Sequence, residues 1–421
     1  ADKTVNVVTG STLDVNARIQ NGGIDKTGDG TLILSGGNTF TNDVDVLDGI
    51  VRVDNDFGLG SVSGGTNVSD GAQLQLDGVT VGTEALSIGG TGISGDDGAL
   101  QTVTGSGTNS WAGNVAVATN AEIQVNSGTT LGISGNISGS GKTLTIESIG
   151  DTTLSGTNSL NTLNKTGAGN LTVTTSPNTI STVNVNDGTF TLGTSDILDD
   201  NLDLNVGAAG TFAMASGTET IDQFNSAGTL DIDGVFTMNG GIISGGTGAD
   251  STGELILTAN NTLEIASDFT FGTVGTMGGG DQLGTLTLQD ASRLVISGGS
   301  TVNIGTLNID GDSVIDFTAA DANTLNLGSL TFTAGSSLVI EGWNSWNDLW
   351  TTQNFPGANL DVRDDDTAKI TFDGFSDTDT IWLTTDFGSK EITVPEPSSY
   401  GALMMAFALA AWTTRRRRRM A

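Results

Sequence analysis

KTGDGTLILSGGNTFTNDVDVLDGIVRV, residues 26–53, decides the fold. Its aliphatic residues fall at every second position: Leu32 and Leu34, Val44 and Val46, Val51 and Val53. Ile33, Asp45 and Arg52 stand between them. A period of two puts one face in a core and the other in water, which predicts strands. Gly and Asn-Asp clusters separate the runs and supply the turns.

The stretch has a counterpart further along. KTGAGNLTVTTSPNTISTVNVNDGTFTL, residues 165–192, repeats the order K-T-G-x-G, strand, Asn-Thr turn, strand ending in Asp-Gly, strand. Degenerate half-copies follow the same alternation: AQLQLDG from Ala72, AEIQVNSG from Ala121, GTLDIDG from Gly228, GELILTA from Gly253, GTLNIDG from Gly305, SSLVIEG from Ser336. No amphipathic helical period is present before residue 398. A β-sandwich array is the competing architecture; the 62 glycines and the sparse aromatics disfavour it.

With these residues in view, the sequence resembles the autotransporter-associated, or passenger-associated, β-strand repeat, with best copies at 22–55 and 163–196. The resemblance implies an all-β fold: a right-handed parallel β-helix, or solenoid, over residues 1–340. Short strands split by tight turns suit such a coil. At about 4.8 Å per rung, some 12–16 rungs would build a rod on the order of 60–75 Å. Proteins with this repeat usually end in a β-barrel translocator, and nothing in the last hundred residues reads as a run of membrane strands. Outer-membrane passage is therefore expected to use another export route.

Composition narrows the chemistry. The 421 residues carry a net charge of −33, and residues 1–394 alone hold 47 acidic against 10 basic side chains. Such a surface repels nucleic acid, so no nucleic-acid partner is expected. There is no Cys and no His. That excludes disulfides, thiolate nucleophiles, a Ser-His-Asp triad and the commonest transition-metal ligands. The first residue, Ala1, reads as what signal-peptidase cleavage leaves, hence a mature exported chain.

From about residue 341 the composition shifts. EGWNSWNDLWTTQNFPG carries Trp343, Trp346 and Trp350, three of the six tryptophans. AKITFDGF and TIWLTTDFGSKEITV read as the last strands. Residues 341–394 are expected to form an aromatic-rich β cap, with a glycan-stacking platform as the alternative.

The tail, VPEPSSYGALMMAFALAAWTTRRRRRMA, has three parts in order. Pro395, Glu396 and Pro397 hold the backbone extended and accessible to a processing enzyme. Tyr400, Gly401, Ala402, Leu403, Met404, Met405, Ala406, Phe407, Ala408, Leu409, Ala410, Ala411 and Trp412 form an apolar run with an aromatic at each end. From Ser398 to Thr414 a helix would be about 25 Å long, at the short limit for a bilayer. Arg415, Arg416, Arg417, Arg418 and Arg419 fix its orientation, C-terminus in the cytoplasm, by the positive-inside rule. Residues 395–421 thus resemble the PEP-CTERM sorting signal: motif, transmembrane helix, Arg tail. That resemblance implies an exosortase as processing partner, a transient inner-membrane anchor, then the cell surface or extracellular matrix of a Gram-negative bacterium that makes extracellular polysaccharide.

The function expected from these readings is a structural or adhesive surface protein. It would be associated with polysaccharide or biofilm and able to form homo-oligomers or filaments by solenoid stacking. It would not be an enzyme. The alternative is a polysaccharide-active β-helix lyase or glycosidase, since a glycosidase needs only two carboxylates about 5–10 Å apart. No cofactor is expected. Calcium is a candidate ligand at the acidic turns SDILDDNLD, 195–203, and DVRDDD, 361–366, but neither has EF-hand or nonapeptide-repeat spacing. An ice-binding face is excluded because the T-x-T pairs do not repeat at one rung position.

Overall fold

The computed structural model describes residues 2–93, 97–232, 235–244, 254–267, 269–271, 284–318 and 322–342, with the backbone of four further strands, Asp348–Thr351, Ile370–Phe372, Ile381–Thr384 and Lys390–Thr393. Every regular element among these residues is a strand. The chain is a parallel β-solenoid of about 15 turns. It divides into two compact units, Ala1–Leu255 and Ile256–Ala421.

In the first unit, strands pair in parallel with the strand one turn on. Ile24 lies over Val44 and Thr152 over Leu171, so a turn takes about 20 residues. Lys3–Asn6 pairs with Ile24–Thr27, which pairs with Val44–Val46, which pairs with Gly65–Val68. A second stack runs from Thr12–Val15 through Thr31–Leu34 and Gly49–Val53 to Ala72–Leu76. Further along, strands lengthen and bend round the corners. Thr179–Leu192 and Asp203–Met214 keep pairing on both sides of a register shift at Val185/Asp187.

The period-two reading holds in most strands, with Ala72–Leu76 an exception that buries Gln73 and Gln75 as well. Thr31–Leu34 and Gly49–Val53 alternate buried and half-buried, with Leu32, Leu34, Val51 and Val53 inside. Equivalent inward positions stack from turn to turn, so the core is a set of aliphatic columns. Burying each Val, Leu or Phe contributes about 1.5–3 kcal/mol. Aromatic rings meet in the middle of this core: Phe190 stacks on Phe212 in one column at 6.4 Å between ring centres, and Phe212 meets Phe236, from the other sheet, at 5.2 Å.

The second unit repeats the plan. Thr262–Ile265 pairs with Arg293–Ile296, then Ser313–Phe317, Leu338–Glu341 and Ile370–Phe372, all parallel. Thr285–Gln289, Thr301–Asp310, Thr324–Phe332 and Asp348–Thr351 form the other stack. On that second stack the direction then changes. Lys390–Thr393 pairs antiparallel with Asp348–Thr351 and with Ile381–Thr384. These last strands fall inside AKITFDGF and TIWLTTDFGSKEITV, as expected. Lys390–Thr393 thus lies along the edge of Asp348–Thr351, and Ile381–Thr384 continues that sheet.

Candidate functional site

The repeat signature builds a cage for a lysine. In Ile24–Thr27 the inward parity belongs to Ile24 and Lys26, and Lys26 is fully buried. Its column is otherwise aliphatic: Val5 lies on one side and Val46 on the other. The Nζ donates to the carbonyls of Thr27 (3.2 Å), Gly28 (2.6 Å) and Asp48 (2.9 Å). Lys165, equally buried, donates to Thr166 (2.9 Å), Gly167 (2.5 Å) and Asp187 (2.9 Å). Three acceptors match the three hydrogens of an ammonium, so each lysine joins two successive turns. Burial pulls the pKa of both below the usual lysine value, that of Lys165 to about 8, while Asp48 and Asp29 around the first and Asp187, Asp151 and Glu147 around the second favour the charge.

The glycine after the cage aspartate completes the motif. Gly49 and Gly188 both have φ of +66°, the left-handed region. A Cβ on Gly49 would stand 2.5 Å from the Gly28 carbonyl oxygen and 2.6 Å from that of Gly30. K-T-G-x-G and the later D-G are therefore one device: lysine, three carbonyls and the glycine that lets the next turn close over them.

Corners carry a second device. Buried Asn side chains accept backbone N–H groups of the preceding turn: Asn38 from Ile19 (2.8 Å), Asn109 from Gly78 (2.8 Å) and Val79 (3.3 Å), Asn178 from Asn158 (2.7 Å). Asn323 does the same in the second unit, with Gly299 and Ser300 at 3.1 Å. Their amide nitrogens donate back to carbonyls, Asn38 to Gly58 and Asn178 to Ile197. At one corner a carboxylate takes this place. Glu219 accepts from Ile197 (2.8 Å) and Leu198 (3.2 Å). Burial raises its pKa to about 7. Glu84 is buried as well, with the Thr66 hydroxyl on its carboxyl at 2.6 Å and its pKa raised by burial to about 7.

Outward positions stack into ladders. Asn225 donates to Asn205 (3.0 Å), Asn205 to Asn184 (2.9 Å) and Asn184 to Asn164 (2.8 Å). A second ladder has charged ends: Arg52 donates to Gln75 (3.0 Å), Gln75 to Gln101 (2.9 Å), Gln101 to Gln124, and Gln124 to Glu147 (2.5 Å). Arginine can only donate and a carboxylate only accept, so the two ends fix the direction of all three amides. In the second unit Arg293 bridges Asp316 (2.5 Å) and Glu341 (2.6 Å), which stack on successive rungs.

Of the acidic turns, 195–203 is within the described residues. There Asp199 caps Asn201, and the backbone and side-chain N–H groups of Asn201 hold its carboxyl below the usual value. Among the described residues no group of three or more carboxylates gathers as a metal site. The acidic run 361–366, the tryptophans at 343 and 346, and the whole tail 395–421 lie outside the described residues. So do the Pro395–Pro397 motif, the Tyr400–Trp412 run and Arg415–Arg419. Among the described residues no helix is long and apolar enough to cross a membrane.

Comparison with family models gives two matches. The passenger-associated-transport-repeat matches residues 24–53, the span from Ile24 to Val53 that holds the first lysine cage. The PEP-CTERM protein-sorting motif matches residues 393–419. The chain carries a PEP-CTERM sorting motif. No curated protein and no solved structure matches the chain. The PEP-CTERM motif implies export and processing that depend on an exosortase, and with the passenger repeat it marks a surface-directed protein of a Gram-negative bacterium.

The chemistry of the cages and of Glu219 escaped the sequence reading, although a signal was present. A charged residue at inward parity, Lys26 beside Ile24 or Glu219 beside Ile221, must find partners inside.

Proposed function

We propose that this PEP-CTERM chain is a structural or adhesive component of the cell surface or extracellular matrix, held in or near the extracellular polysaccharide. It performs no catalysis. Before processing, its C-terminal apolar run sits as a helix in the inner membrane, with Arg415–Arg419 in the cytoplasm. An exosortase then removes or exchanges the tail near Pro395–Pro397. The right hand of the coil, an aromatic-rich cap over 341–394 and self-stacking of solenoids belong to the same reading.

One observation carries it: an export-sorting motif at the end of a solenoid whose distinctive polar groups bond to the solenoid itself. The lysines, corner asparagines and ladder amides bind backbone or each other. The absence of His and Cys from the sequence supports a non-catalytic role. So does the acidic surface, which keeps a matrix protein soluble and repels it from anionic membranes.

Cell fractionation tests the proposal. Cells with an active exosortase should place the protein in protease-accessible surface and matrix fractions, and cells lacking it should hold the protein in the inner membrane. Loss of the gene should weaken biofilm cohesion. Protein confined to the periplasm in both strains, with unchanged biofilm, would refute the assignment.

A further inference from the structure

The sequence holds two Asn-Gly-Gly runs, Asn21–Gly23 and Asn239–Gly241, and the fold treats them in opposite ways. Asn21 is exposed in the corner ahead of Ile24–Thr27. Among the described residues neither its side-chain amide nor the Gly22 N–H has a hydrogen-bond partner. Only the main-chain carbonyl of Asn21 is held, by the Lys3 ammonium. Gly22 has φ of +77° and no Cβ to shield its nitrogen. Asn239 is fixed instead. Its side-chain amide donates to the Asp222 carboxylate (3.2 Å) and its N–H to the Asp222 carbonyl (3.0 Å). Gly240 beside it is buried, and its carbonyl accepts from the Phe224 N–H (3.0 Å).

We propose that Asn21 is a self-modification site: its side chain closes onto the Gly22 nitrogen, the residue becomes aspartate or isoaspartate, and the first strand, Lys3–Asn6, loosens as the chain ages. The chemistry needs only water. The Gly22 nitrogen gives its proton to solvent base and attacks the Asn21 Cγ. A C–N bond forms, the Cγ–Nδ2 bond breaks, and the side-chain amide leaves as ammonia after taking up a proton. Water then opens the cyclic imide. Addition at Cγ gives aspartate. Addition at the main-chain carbonyl carbon gives isoaspartate, whose main chain runs through the side-chain methylene. The corner is sensitive to both products. The Gly22 carbonyl accepts from the Asn42 N–H (3.2 Å), and the Gly23 carbonyl accepts from the Lys3 N–H (3.0 Å). An added main-chain atom at residue 21 displaces both acceptors. Either product also brings a new carboxylate towards Asp2, whose Oδ1 stands 3.0 Å from the place of a Cβ on Gly23. The bond that ties Lys3 to the corner is therefore weakened by geometry and by charge.

Ageing the purified full chain for days at mildly alkaline pH, followed by peptide mass spectrometry, tests the proposal. The tryptic peptide Ile19–Lys26 should acquire the mass shift of an amide turned to an acid, in two forms that chromatography separates. Asn21 should convert about tenfold or more faster than Asn239, which reacts only through local opening. In concentrated urea the two rates should converge, since both asparagines precede Gly-Gly. Hydrogen exchange should then show weaker protection at Lys3–Asn6 in the aged chain. An aged Asn21→Gln chain, whose longer side chain closes the ring far more slowly, should keep its protection there. An Asn21 that stays intact in the folded chain, or that converts no faster than Asn239, overturns the proposal. So does full conversion at Asn21 with unchanged protection at Lys3–Asn6.

Discussion

The Lys165 ammonium lies 2.7 Å from the point where a Cβ on Gly188 would stand. Lysine and glycine are thus matched parts of one corner, the lysine binding the carbonyl of Asp187, 22 residues on and next to the glycine. In the first copy Lys26 likewise binds the carbonyl of Asp48, next to Gly49.

Replacing either lysine should be expensive. Lys165→Met keeps most of the volume and removes three charge-assisted hydrogen bonds, leaving the Thr166, Gly167 and Asp187 carbonyls without this donor. The expected loss is about 2–4 kcal/mol, since a hydrogen bond to a charged group contributes about 1.5–3 kcal/mol and buried acceptors lose their partner. Lys26→Met should behave alike. Urea denaturation of each variant measures the loss, and a change below about 0.5 kcal/mol would show the cage to be incidental.

Gly49→Ala and Gly188→Ala should each destabilise by about 2 kcal/mol or more, because both a positive φ and a backbone oxygen stand in the way. Gly37→Ala is the control. Nothing lies within 4 Å of its added Cβ and its φ is ordinary, so the midpoint should hardly move.

The buried carboxyls set the pH dependence of the first unit. Glu84 and Glu219 both have folded pKa values raised from 4.5 to about 7. A raised acid pKa means that the folded chain binds a proton that the unfolded chain releases. The contribution is fully present below about pH 4.5, fades from there upward and is gone once the pH passes 7. Calorimetry should find the first unit more stable at pH 5.5 than at pH 8. Glu84→Gln should raise its stability at pH 8 by on the order of 1–3 kcal/mol and flatten the profile. A profile rising toward pH 8 in the parent chain would contradict this.

The Arg52–Glu147 ladder should break hardest in the middle. Gln101→Ala removes the amide that joins Gln75 to Gln124 and should cost about 1–3 kcal/mol. Glu147→Gln keeps an acceptor for Gln124 and should cost less than about 1 kcal/mol. Equal effects in thermal melts would show that the ladder does not act as a connected series.

The fold was legible because its rule is local. Leu32, Leu34, Val51 and Val53 fall at every second position, and in these strands each buried position follows from parity. The repeat of K-T-G-x-G and D-G at 26–53 and 165–192 was legible too, but not its meaning. The acceptors of Lys165 include Asp187 in the next turn, and a one-dimensional reading does not show which turn stacks on which. Glu219 hid for the same reason: its donors, Ile197 and Leu198, lie one turn earlier. The division at Leu255/Ile256 has no composition shift to mark it, whereas the shift near 341 is plain in the tryptophans. The sorting motif was readable because its parts are contiguous: Pro395–Pro397, an apolar run and five arginines.

The central claim is that the sorting tail directs a surface protein and is then processed. Intact mass of the protein extracted from the cell surface tests it most directly. The account predicts a polypeptide ending near Pro395–Pro397, without the apolar run and Arg415–Arg419. A surface-extracted chain ending at Ala421 would contradict it.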